Sequence, residues 1–153
     1  MAEPTQKQVI GRLGEDIAGK YLENKGFKIV GINYRKKYGE IDIIAQKGKI
    51  THFIEVKSVS ELANSEPAGF TAWPQTLGRS ENLPQNVSRV TDNYRPEDNI
   101  HPQKLKRLAR TIQAYLLEKF PKGEPEWQFD AITVRLDMKT RRAKVRFMNN
   151  LIL

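Results

Sequence analysis

The sequence predicts an α/β fold, a mixed β-sheet with a helix on each face. Three observations predict it. Apolar residues recur at helical spacing in two separated stretches, 5–25 and 101–120. Five short runs with strand character surround the second of these. The order is helix, three strands, a long irregular stretch, helix and two strands, with no internal repeat.

In the first helix Val9, Leu13, Ile17 and Tyr21 recur every four residues, with Ile10, Ala18 and Leu22 beside them. Thr5 can cap this helix and Gly26 can end it. Gly11 and Gly14 sit inside it, and each costs about 1 kcal/mol against alanine. Their presence points to another backbone, or a ligand, passing close by.

The strands are expected over 27–34, 40–46 and 50–58. The first runs into the basic patch Arg35-Lys36-Lys37, and Lys47-Gly48-Lys49 joins the second and third as a tight hairpin. Residues 59–100 then hold four prolines and no helical or strand period. Phe70, Trp73 and Tyr94 argue against an inert linker. This stretch is expected to be a partly ordered insertion within a single domain spanning 1–153.

Leu105, Leu108, Ala109, Ile112, Tyr115 and Leu116 define the second helix, with Asp98 or Asn99 as its cap and Pro102 in its first turn. Its first half is basic, through Lys104, Lys106, Arg107 and Arg110. Two more strands are expected over 127–136 and 143–148.

With 153 residues, 39% apolar and 29% charged, the chain has the balance of a globular domain. It lacks cysteine, which excludes disulfides and thiolate metal sites. No signal-peptide stretch or membrane-length apolar run is visible, so no membrane association and a cytoplasmic location are expected. The net charge of +8 is uneven: +4 over 1–58, −3 over 59–100 and +7 over 101–153. Such an excess favours a polyanion, most often nucleic acid.

The hairpin carries the chemistry. Gly39-Glu40-Ile41-Asp42-Ile43-Ile44-Ala45 and Phe53-Ile54-Glu55-Val56-Lys57-Ser58 place charge inside buried-strand sequence. Burying charge is costly unless it is paired or bound to metal. An even-numbered hairpin loop sets Asp42 opposite Phe53 and puts Asp42, Glu55 and Lys57 on one face. Glu55 is then the diagonal neighbour of Asp42, about 7–8 Å away at the backbone. Ile41, Ile43, Ile54 and Val56 turn to the other face and into a core. Two carboxylates, a nearby main-chain carbonyl and water are the hard oxygen ligands that suit Mg²⁺ or Mn²⁺.

These residues resemble the PD-(D/E)xK signature of the restriction-endonuclease-like superfamily. More narrowly, the chain resembles the YraN family of predicted endonucleases, related to archaeal Holliday-junction resolvases. The resemblance rests on Gly11 to Ala18 with Tyr21-Leu22, on Asn33-Tyr34-Arg35, on Gly39 to Ala45 and on Phe53 to Lys57. Lys104 with Arg107-Leu108, Tyr115-Leu116 and Phe129-Asp130-Ala131-Ile132 completes it. It covers most of the chain except the insertion.

The resemblance implies an α-β-β-β-α-β core and a Mg²⁺- or Mn²⁺-dependent endonuclease acting on nucleic acid, DNA ahead of RNA, with branched DNA as one substrate class. It implies Asp42 and Glu55 as metal ligands, with the Val56 main-chain carbonyl beside them, and Lys57 as the catalytic lysine. Glu15 would reach in from the first helix, directly or through water. Arg35, Lys36, Lys37, Lys104, Lys106, Arg107 and Arg110 are the candidate nucleic-acid contacts.

Three departures stand out. Ile41 replaces the proline of the signature, Ser58-Val59-Ser60 follows where an arginine is usual, and the connection to the second helix is long. Two alternatives remain: a catalytically silent nucleic-acid-binding module, and an interaction protein that docks a partner through 59–100; a homodimer is a further expected partnership. Trp127 and Phe129 read as core, Asp130 reads as a buried structural acid, and His52 and His101 receive no role.

Overall fold

The computed structural model describes residues 3–61, 71–72 and 102–153. Helix α1 spans Gln6–Asn24, β1 Lys28–Lys36, β2 Gly39–Lys47, β3 Ile50–Glu61, β4 Thr71–Ala72, α2 Pro102–Lys119, β5 Glu126–Asp137 and β6 Arg142–Leu151. The strands form one mixed sheet in the order β1-β2-β3-β5-β6-β4. Among the described residues only β3 and β5 run parallel, and α2 lies in the connection between them. The result is the expected restriction-endonuclease-like arrangement, an α/β core with a helix on each face.

Local signals set the element ends. Thr5 and Gln8 form a reciprocal capping box at the start of α1. Gly26, at φ 90°, turns the chain out of that helix. Gly48, at φ 61°, takes the first position of the two-residue β2–β3 loop, where a left-handed backbone favours glycine. The caps proposed at Asp98 and Asn99 lie outside the described residues, as do Phe70, Trp73, Tyr94 and His101.

The core has two sides. Ile10, Leu13, Ile17 and Leu22 of α1 pack with Ile43, Ile54, Ile132 and Val134. On the opposite face Leu108, Ile112, Tyr115 and Leu116 of α2 pack with Ile44, Phe53 and Phe129. Trp127 lies against this second cluster, edge-on to Phe53 with ring centroids 5.6 Å apart, so it is core as expected.

Three expectations are corrected. First, β3 runs on to Glu61, because it pairs residue for residue with β5 up to Asp137. Second, the insertion contributes a two-residue strand that no period announced: Thr71–Ala72 pairs with Ala143 and Arg142. Third, Ile41 does not share a face with Ile43, Ile54 and Val56. It joins the α2 side, while the other three belong to the α1 side. Alternation breaks at Asp42, beside which Asn33 of the neighbouring strand adopts φ 51°.

Candidate active site

Lys47 pairs with Ile50, Ile44 with Phe53 and Ile43 with Ile54. The loop is even-numbered as expected, but the register differs by two residues from the one that sets Asp42 against Phe53. Continued one step, it sets Asp42 against Glu55 directly, not diagonally. The acids still meet, since the Glu55 charge acts on the Asp42 carboxyl. The ladder ends at Ile43–Ile54, and beyond it the Val56 N–H donates to Asp42 Oδ2 at 2.8 Å. A side chain there takes over a strand's hydrogen bond, which holds the carboxylate rigidly.

Both acids are buried, Asp42 at 6% and Glu55 at 7% exposure. Burial, and then the Glu55 charge, push the Asp42 carboxyl up to about 8. Lys57 follows two residues on and is half-buried. Desolvation, and then the neighbouring Lys104 charge, lower its pKa. Across the β3–β5 pairing Lys57 faces Thr133, whose buried hydroxyl oxygen has no hydrogen-bond partner. The sequence carried no sign of that group.

Glu55 has a partner of its own. Lys104 Nζ lies 2.5 Å from Glu55 Oε1, bridging α2 to β3. The sequence placed Lys104 among phosphate contacts; the structure places it on a carboxylate. The signal was readable: Lys104 lies four residues before Leu108, on the apolar stripe of α2.

Glu15 stands beside the pair. Its Oε2 accepts from Asn33 Nδ2 at 3.4 Å, and burial raises its pKa. Among the described residues no three acid or histidine side chains converge closely enough to hold a metal ion by themselves. Glu15 is close enough for its charge to act on Asp42, while its carboxylate accepts from Asn33.

Two clefts border this centre. One, of about 440 Å³, has Glu55 and Lys104 in its wall together with Gly39, Glu40 and Arg107. The other, of about 550 Å³, runs between α1 and the end of β3 and includes Gly11, Glu15, Lys57, Ser58 and Ser60. The basic candidates divide accordingly. Arg107 lines the first cleft, while Lys106 and Arg110 are exposed elsewhere on α2. Arg35 pairs with Glu40 at 2.9 Å, and Lys36 pairs with Glu118 at 3.4 Å. Lys37 lies over the Tyr38 ring, 5.2 Å from its centroid.

The family model described as "Uncharacterised protein family UPF0102" matches residues 14–74. A UPF0102 protein of Campylobacter lari is 62% identical over 129 residues, covering 84% of this chain and 86% of the relative. The chain belongs to the UPF0102 family. This is the YraN family that the sequence resembles. A UPF0102 protein of Campylobacter fetus is 48% identical over 145 residues, covering 95% of both chains. One of Wolinella succinogenes is 32% identical over 143 residues, covering 94% of this chain and 95% of the relative. The stretch matched by the UPF0102 family model contains Asp42, Glu55 and Lys57, and it begins just before Glu15.

His52, which the sequence left without a role, is buried with its Nδ1 2.5 Å from Asp130 Oδ2. Asp130 also accepts from Gln128 Nε2 at 2.7 Å and from the Asn150 N–H at 2.8 Å. It is the structural acid that was expected, tying β3, β5 and β6 together. No described helix is long and apolar enough to cross a membrane.

Proposed function

We propose that this UPF0102 protein is a Mg²⁺- or Mn²⁺-dependent endonuclease that hydrolyses phosphodiester bonds of DNA, including branched or otherwise structured DNA. The observation that carries the reading is the Asp42–Glu55 pair, two buried carboxylates set against each other at the end of the β2–β3 ladder. Carboxylates so placed repel, and a cation relieves that repulsion.

The donor set fits a hard divalent ion. Asp42 and Glu55 offer carboxylate oxygens, the Val56 main-chain carbonyl offers a third oxygen, and Glu15 can enter through water. When bound, such an ion polarises the phosphodiester and lowers the pKa of the attacking water.

The chain's own groups do the rest. Asp42 is fixed by the Val56 N–H, so its ligand oxygen is already positioned before substrate arrives. The Lys57 ammonium, held half-buried beside Glu55, offsets charge that develops on the scissile phosphate. Arg107, in the wall of the first cleft, is placed to bind a flanking phosphate. The walls of the two clefts meet at Glu55 to Lys57, which leaves room for a strand on either side of the reacting group.

A second reading is favoured by one observation, the Lys104–Glu55 bridge, which puts a protein cation where a metal ion would act. On that reading the chain binds nucleic acid without cutting it. The deciding experiment is incubation with duplex, single-stranded, flap and four-way-junction DNA, with Mg²⁺, with Mn²⁺ and with chelator. Metal-dependent cleavage, abolished in Asp42→Asn and Glu55→Gln, is expected. Binding without cleavage under every condition would put the second reading ahead.

A further inference from the structure

We infer that Lys104 is a displaceable counter-ion: it holds Glu55 while no divalent cation is present, and it leaves when one binds. The inference rests on the metal-dependent reading above and concerns the same site.

Four observations carry it. Lys104 Nζ lies 2.5 Å from Glu55 Oε1, a contact that takes up an oxygen a metal ion would need. The partners are unequally placed, with the Glu55 side chain 8% exposed and that of Lys104 42% exposed. Glu55 is fixed on a central strand, so only the lysine is free to swing. Room to swing exists, because Lys104 and Arg107 both line the cleft of about 440 Å³ into which the ammonium would move. Finally, Lys57 stands two residues from Glu55 on β3 and adjoins Lys104, so a second ammonium group borders the acid. Adding a divalent cation to a site that already holds two ammonium groups would be opposed by both.

The arrangement has a use. Glu55 cannot stay buried and unpaired without cost. Lys104 neutralises it in the resting protein, then joins Arg107 in the cleft once the cation takes its place. Release of Lys104 adds a positive charge to the surface that a phosphate would meet. Cation binding and polyanion binding then strengthen each other, and by linkage they do so reciprocally.

The test is calorimetric titration of the full chain with Mn²⁺, without nucleic acid, in three forms. Lys104→Met keeps most of the aliphatic stem but loses the charge, and its Mn²⁺ affinity should rise by about tenfold or more. Lys104→Arg keeps the charge and can grip Glu55 with two N–H groups, so its affinity should fall below that of the wild type. If Lys104→Met folds poorly in metal-free buffer, Mn²⁺ should restore its thermal transition, and Lys104→Arg still reports the opposite direction. Equal or weaker Mn²⁺ binding by Lys104→Met would overturn the inference, since Lys104 would then be organising Glu55 for the ion. If that outcome came with metal-dependent cleavage by the wild type, the nuclease reading would stand and the counter-ion would fall alone. If neither the wild type nor Lys104→Met bound Mn²⁺, both would fall together.

Discussion

Asp42 Oδ2 accepts the main-chain N–H of Val56 at 2.8 Å, which locks the carboxylate against β3 next to Glu55. That hydrogen bond favours the ionised form, yet burial and the Glu55 charge outweigh it and raise the Asp42 pKa to about 8. In the absence of metal the folded protein thus keeps a proton there that the unfolded chain has lost above its ordinary value of 3.8. Folding stability contributed by this group is whole below that value and is lost as pH rises through about 8.

Asp42→Asn should remove this pH dependence. The amide oxygen still receives the Val56 N–H, and no second carboxylate charge faces Glu55. In chelator, the variant should gain on the wild type as pH rises from 5 to 8, by on the order of 2–4 kcal/mol, and the gap should level off above that. Urea melts at a series of pH values measure it. A variant less stable than the wild type at pH 8 would mean that the acid holds the strands together instead. Saturating Mn²⁺ should reverse the order, because the ionised carboxylate then becomes a ligand.

Two of the three glycines of α1, Gly11 and Gly14, should behave oppositely. An added Cβ at Gly14 would lie 1.6 Å from Ser58 Oγ and 2.7 Å from Ser58 Cβ, so the helix crosses β3 there with no space to spare. Gly14→Ala should destabilise the fold by about 1–3 kcal/mol, and Ser58→Gly in the same chain should return much of that. At Gly11 nothing lies within 4 Å, so Gly11→Ala should stabilise by about 0.5–1 kcal/mol through helix propensity alone. Thermal melts of both variants decide it.

That contrast shows where the sequence stops speaking. Both glycines are visible as costs inside a helix, but only packing reveals that Gly14 meets Ser58 while Gly11 faces a cleft. Parity was legible in the hairpin, since any even loop puts Asp42, Glu55 and Lys57 on one side. The register itself was not, because Lys47-Gly48-Lys49 allows loops that differ by two residues. Ile41 escaped because the alternation of β2 breaks at Asp42, and a reading that assumes strict alternation cannot report that. The length of β3 escaped for a related reason: its last residues are held by β5, which is far away in sequence. The Lys104–Glu55 contact was legible in part, since a lysine on the apolar stripe of α2 calls for a buried acid.

Asp130 should prove structural and independent of the site. It is fully buried and receives Gln128, Asn150 and the His52 ring. Asp130→Ala would leave those groups facing nothing, at a cost of about 3–5 kcal/mol. At a temperature where the variant remains folded, its Mn²⁺ affinity should match that of the wild type. A lost metal site with an intact fold would instead place Asp130 in the ligand set.

Binding and chemistry should separate at Lys57 and Arg107. Lys57 adjoins Glu55 on β3, and Arg107 lines the cleft that Glu55 borders. Arg107→Ala should weaken DNA binding across all sequences and lower the salt slope by about 1, because one phosphate contact is lost. Lys106→Ala and Arg110→Ala, exposed outside that cleft, should change binding less. Lys57→Ala should keep most of the binding free energy and lose cleavage, since its charge matters most where negative charge develops in the transition state. Binding titrations at several salt concentrations, run beside single-turnover cleavage with Mn²⁺, separate the two effects. Equal losses of binding from Arg107→Ala, Lys106→Ala and Arg110→Ala would mean a diffuse basic face rather than a built phosphate site. Wild-type cleavage by Lys57→Ala would take the lysine out of the chemistry and leave the two carboxylates to carry it.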